Sequence, residues 1–187
     1  MLLGVSGGIA AYKAAELVRL LRARGAQVRV IMTRAARAFI TPLTLQALSG
    51  NPVRVDLLDP LAEAGMDHIE LARWADLVLV APASADLMAR LAAGLADDLL
   101  TTLALATTAP LILAPAMNQR MWLHPATRAN AERLGERGVR LLGPAEGEQA
   151  CGETGPGRML EPADIVASVL AAGGGPLAGR QVLVTAG

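Results

Sequence analysis

Leu2-Leu3-Gly4-Val5-Ser6-Gly7-Gly8, continuing into Ile9-Ala10-Ala11-Tyr12-Lys13, is the stretch that decides the fold. A short apolar run stops at Ser-Gly-Gly, and Leu17, Val18 and Leu21 then recur at helical spacing up to a stop at Gly25. The stretch reads as strand, glycine turn, helix. In that arrangement backbone N–H groups and the positive end of the helix dipole gather at the turn, which predicts an anion site at Gly7 and Gly8. An ordinary tight turn accounts for the same two glycines equally well. The residues spell neither G-x-G-x-x-G nor G-x-x-x-x-G-K-[ST], so the dinucleotide and nucleoside-triphosphatase fingerprints are both absent.

The alternation repeats along the chain. Residues 27–32 (QVRVIM) predict a second strand, and 42–48 a short helix closed by the turn cluster SGNP at 49–52. Two uninterrupted apolar runs, 77–81 (LVLVA) and 111–114 (LILA), have the pattern of central parallel strands covered on both faces. Helices are expected over 85–93, 97–106 and 125–136, then a strand over 139–142 and a helix over 163–171. The sum is an α/β fold, an open doubly wound, Rossmann-like parallel sheet with right-handed crossovers and ligands at the carboxyl ends of its strands. Thr33 and Ser84 then stand on the same edge as the glycine turn, each with a hydroxyl to offer. Three such loops converging point to a mononucleotide.

Composition narrows the function. The 187 residues suit one full domain, and 17 basic against 17 acidic side chains cancel, so no global field favours nucleic acid or an anionic membrane. Hydrophobic residues make up 53% of the chain but aromatics only 2%, which argues against a base-stacking platform and for buried strands under Ala-rich helices. So apolar a chain is also expected to hide surface between subunits, as a homo-oligomer. The single cysteine excludes an internal disulfide and fits the cytoplasm; with the two distant histidines it makes no metal set. No secretory leader is indicated at the N-terminus. Residues 99–119 carry no charge, but Thr101, Thr102, Thr107, Thr108, Pro110 and Pro115 interrupt them, so the expectation is a buried helix and strand and no membrane span. After 173–176 (GGGP), residues 181–184 (QVLV) and the start of a glycine turn read as the opening of another domain, or else as an edge strand of the same sheet.

Three more side chains could carry chemistry. His68 precedes a short helical stretch, where a surface imidazole is the ordinary explanation. Asn118 follows the strand of the uncharged stretch; its amide suits a ligand carboxylate, although helix capping is the commoner use. Cys151 lies in the glycine-rich segment up to Gly157, where a thiol could serve as acid or nucleophile.

In order along the chain, SGGIAAYK (6–13), the Asp67-His68-Ile69 step, APASAD (81–86), GLADDLL (94–100), PAMNQRMW (115–122) and ACGETGPGRM (150–159) resemble the flavin-dependent cysteine decarboxylase family. Within it they resemble the phosphopantothenoylcysteine decarboxylases fused to phosphopantothenate–cysteine ligase in bacterial coenzyme A biosynthesis, with Asp86 where many relatives carry Asn and Glu153 where Asp is commoner. The resemblance implies a carboxy-lyase with FMN against Gly7, Gly8, Thr33, Arg34, Ser84, Ala85, Asp86 and Ala116. It implies 4'-phosphopantothenoylcysteine as substrate, converted to 4'-phosphopantetheine by oxidation to a thioaldehyde, loss of carbon dioxide and re-reduction of the enethiol. It places His68 at the active site, Asn118 on the substrate carboxylate, Ala150 and Met159 against the substrate, and Cys151 as proton donor. The implied organisation is a decarboxylase domain over 1–172, a linker over 173–180 and the first strand of a ligase domain over 181–187. The implied assembly is a trimer, on occasion a dodecamer, with the flavin near a subunit boundary. Other readings of the same family are a peptidyl-cysteine decarboxylase, a prenyltransferase, or a flavin-binding regulatory subunit without catalysis; Cys151 and the intact PAMN speak against the last.

Overall fold

The computed structural model describes residues 1–57, 67–150 and 152–172. Its centre is a five-stranded parallel sheet built from β1 (Leu2–Val5), β2 (Arg29–Met32), β3 (Val78–Ala83), β4 (Leu111–Pro115) and β5 (Arg140–Leu141), in the spatial order β2-β1-β3-β4-β5. The order reverses direction between β1 and β3, the switch point at whose carboxyl edge ligands of doubly wound sheets bind. β1 and β3 are buried along their whole length, as their unbroken apolar runs require.

Helices α1 (Lys13–Ala23), α2 (Pro42–Ser49), α3 (Asp67–Trp74), α4 (Ala85–Ala93), α5 (Leu99–Ala106), α6 (Gln119–Leu123), α7 (Pro125–Glu136) and α8 (Pro162–Ala172) flank the sheet. Two cores result. On one face Leu17, Val18 and Leu21 of α1 meet Ile165, Val166 and Val169 of α8 over Leu3, Val5 and Leu79. On the other, Leu71 of α3, Leu87 and Met88 of α4 and Leu99, Leu100 and Leu103 of α5 cover Leu2, Val78 and Val80. Because side chains alternate along a strand, neighbouring residues of β1 serve opposite cores.

The differences from expectation are local. A 3-10 turn, Ile9–Tyr12, separates the glycines from α1, so the first helix begins later than a direct turn-to-helix junction implies. β3 runs on through Pro82 to Ala83, and the expected start of α5 shifts because Asp98 is its cap: Asp98 Oδ1 accepts from the Thr101 N–H at 2.8 Å, and Thr101 Oγ1 accepts in return from the Asp98 N–H. The uncharged segment is α5 and β4, and no helix of the described residues is long and apolar enough to cross a membrane. The glycine-rich loop is an antiparallel hairpin of β6 (Ala145–Glu148) and β7 (Thr154–Arg158). Cys151, and the expected linker and strand over 173–187, lie outside the described residues.

Candidate functional site

A cleft of about 1380 Å³ opens along the carboxyl edge of β2, β1, β3 and β4. Ser6 organises its floor. Its buried hydroxyl donates to the Pro82 carbonyl at 2.8 Å and accepts from the Ser84 N–H at 2.9 Å, which ties the turn after β1 to the turn after β3. Gly7 keeps that turn low: a Cβ there would stand 2.5 Å from the Ala35 Cβ and 3.0 Å from its carbonyl carbon, so the 6–8 turn and the segment after β2 touch through a position that only glycine fits.

Two caps point the polar groups. Thr33 Oγ1 accepts from the Ala36 N–H at 3.3 Å, and Ser84 Oγ accepts from the Leu87 N–H at 3.3 Å as N-cap of the nine-residue α4. Each hydroxyl keeps its own O–H to donate, and the first N–H groups of α4 face the same cleft. This set suits a phosphate ester with a polyol arm: two hydroxyl donors, a helix N-terminus and the 6–8 backbone lie within one cleft large enough for a flavin mononucleotide. The acid groups nearby are compensated. Arg90, largely buried, bonds Asp97, pairs with Asp98 at 3.0 Å and with Asp86 at 3.8 Å, and its bond holds the Asp97 carboxyl below the ordinary range. Arg34 pairs with Asp56 at 2.8 Å on the opposite rim.

The far wall carries the amide. Asn118 caps α6 by accepting from the Arg120 N–H at 2.8 Å, and its Nδ2 donates to Glu153 Oε2 at 2.7 Å on the hairpin. The hairpin is fastened to the same loop by Met117 N–H to the Gly157 carbonyl at 2.9 Å and Gln119 N–H to Gln149 Oε1 at 3.1 Å. Gly157, at φ +142°, permits this approach: a Cβ there would collide with the Met117 carbonyl oxygen. Behind the hairpin Glu161 takes Lys13 Nζ on both oxygens at 3.0 Å and Arg158 Nη2 at 2.7 Å, joining α1 to the start of α8.

Gly7, Gly8, Thr33, Arg34, Ser84, Ala85, Asp86, Ala116, Asn118, Ala150 and Met159 all line this one cleft. His68, half-buried in the first turn of α3, does not line it. Ser6, Lys13, Arg90, Gln149, Arg158 and Glu153 belong to the site or its supports and escape a reading by residue type. Ser6 and Lys13 carried a signal by standing inside the quoted SGGIAAYK, and Glu153 and Arg158 by standing inside ACGETGPGRM; Arg90 and Gln149 carried none.

Residues 1–173 match the family model described as Flavoprotein. The "Coenzyme A biosynthesis bifunctional protein CoaBC" of Vibrio cholerae serotype O1 is 62% identical over 188 residues, covering 100% of this chain and 47% of that protein. The protein of the same description from Escherichia coli (strain K12) is 64% identical over 166 residues, 89% of this chain and 41% of that one. The chain thus spans about half the length of these curated relatives. Among solved structures, a PPC decarboxylase mutant "complexed with pantothenoylaminoethenethiol" superposes with a TM-score of 0.82 at 35% identity over 91% of this chain and 96% of that one. "The FMN binding protein AtHal3" follows at 0.77 and 35%, over 91% and 94%. With the match running from residue 1 through α8 and taking in every loop of the cleft, the chain belongs to the Flavoprotein family.

Proposed function

We propose that the chain is the FMN-dependent decarboxylase of 4'-phosphopantothenoylcysteine, giving 4'-phosphopantetheine for coenzyme A biosynthesis. The observation that carries this is the cleft itself: a phosphate-and-polyol site at the switch point facing a hairpin-covered amide at Asn118. The neighbour that holds pantothenoylaminoethenethiol, a decarboxylated enethiol, supports the substrate class, and the CoaBC relatives support the pathway.

The cleft residues divide the work. Thr33, Ser84 and the α4 N-terminus hold the phosphate, Gly7 and Gly8 let the backbone approach the ribityl arm, and Arg34, Ala85, Asp86 and Ala116 complete the wall. Bound there, FMN would supply a reversible two-electron acceptor for the carbon that bears the substrate thiol. Asn118 holds the substrate carboxylate until it leaves as carbon dioxide. Ala150 and Met159 on the hairpin cover the substrate and exclude water. Cys151 gives its Sγ proton to the carbon that lost the carboxylate; an ordinary thiol, with pKa of about 8.5, is mostly protonated at neutral pH. The chain works as a homo-oligomer, a trimer at least, in which His68 serves a neighbour's cleft. The described body is the decarboxylase domain over 1–172, followed by a linker over 173–180 and the first strand of a fused ligase domain over 181–187.

Acid release of the flavin from purified protein, followed by chromatography, tests the cofactor. FMN in stoichiometric amount is expected. FAD, or no flavin after reconstitution, contradicts the proposal.

A further inference from the structure

Asn118 is the residue on which the proposed carboxylate handling depends, and a short amide side chain has two weak points: it rotates about its own bonds, and its oxygen and nitrogen ends can exchange places. Both are fixed here by partners of opposite kind. The Arg120 N–H can only donate, so it demands Oδ1, while the Glu153 carboxylate accepts, so it selects Nδ2. The cap alone would orient the oxygen. Glu153 is what holds the nitrogen end, at 2.7 Å, and Arg120, 3.8 Å from the other carboxylate oxygen, steadies it.

Glu153 comes from the hairpin, not from the loop that carries Asn118. It reaches Asn118 only when β6 and β7 are seated, through the Met117–Gly157 and Gln119–Gln149 bonds. Its own place is set by the tip, where the Gln149 N–H donates to the Glu153 carbonyl at 2.8 Å. Glu153 does not line the cleft, whereas Asn118 does, so the carboxylate backs the amide from outside and leaves the cleft to the ligand.

We propose that Glu153 is a positioning residue that aims the Asn118 amide, so that seating the hairpin and readying the carboxylate site are one event. This rests on the functional reading above. It predicts a selective defect: a substrate that carries the carboxylate feels the loss of Glu153, and the decarboxylated product, which has no carboxylate to place, does not. Gln at this position still offers an acceptor oxygen to Nδ2, so the conservative variant restores what alanine removes.

The test uses the FMN-loaded full chain and its Glu153→Ala and Glu153→Gln variants. It reads kcat/KM for 4'-phosphopantothenoylcysteine and, independently of turnover, calorimetric binding of 4'-phosphopantetheine. E153A is expected to lose about tenfold in kcat/KM, the scale of one hydrogen bond to a charged group, with product binding unchanged and E153Q close to wild type. Wild-type turnover by E153A overturns the proposal. So does equal weakening of substrate and product, which would make Glu153 a general hairpin fastener, and so does E153Q failing as badly as E153A. A flavin-loaded wild type that releases no carbon dioxide from this substrate instead overturns the functional reading, and the proposal with it.

Discussion

Asn118 serves two masters with one short side chain, and that makes a single-atom change informative. Asn118→Asp replaces the Nδ2 donor that now meets Glu153 Oε2 at 2.7 Å with a second carboxylate, a like charge in the same place. The cap to the Arg120 N–H survives, because either oxygen of Asp accepts it, so the fold is expected to hold while the hairpin bond is lost. Flavin bleaching on mixing with substrate, followed by stopped-flow absorbance, is expected to slow by at least about 100-fold, since a ligand anion then meets an anion in place of a donor. Bleaching at the wild-type rate would remove Asn118 from carboxylate binding. Ser84 and Thr33 were legible in the sequence because each directly follows an apolar strand, and Asn118 because it stands three residues past one; strand ends are where such sheets bind. The roles of Ser6 and Glu153 were not, although both stand inside quoted motifs, because their partners lie 78 and 35 residues away and no local pattern encodes that.

The hairpin is the element that sequence periodicity missed. Alternation of apolar and polar residues is the signal of a strand, and the TGPGR of β7 has none; it pairs through its backbone and docks where side chains are missing. The buried strands β1, β3 and β4 were plain because each is an unbroken apolar run. The Lys13–Glu161–Arg158 group ties the end of the hairpin to α1 and the start of α8. Bonding from Lys13, and after it from Arg158, holds the Glu161 carboxyl below its ordinary 4.5. A carboxyl whose pKa is lower folded than unfolded adds stability that is whole above the unfolded value and is lost as pH falls through the folded one. Glu161→Gln is therefore expected to lower the Tm by a constant amount above pH of about 5, with the deficit against wild type shrinking below pH of about 4.5. Thermal melts of both proteins across that range check it. A deficit that does not change with pH would mean that the Glu161 charge is not what its partners hold.

The proposed homo-oligomer makes a prediction about His68. Ile9, Tyr12 and Leu43 are more than half exposed, Ile9 and Tyr12 within the cleft itself, and His68 does not line that cleft. If His68 serves a neighbour, two inactive variants repair each other: refolding His68→Asn with Asn118→Asp in equal amounts is expected to restore about a quarter of wild-type activity, one half for each independently drawn chain. Recovery of none would place both residues in one subunit's site. The architecture was readable because parallel α/β units repeat a simple pattern, whereas the subunit boundary leaves no periodic trace. The central claim, a decarboxylation that consumes no external oxidant, is tested most directly by mass spectrometry of the FMN-loaded chain with 4'-phosphopantothenoylcysteine and no nicotinamide. The account predicts carbon dioxide and saturated 4'-phosphopantetheine in equal amounts over many turnovers. Substrate returned unchanged by a protein that holds FMN would contradict it.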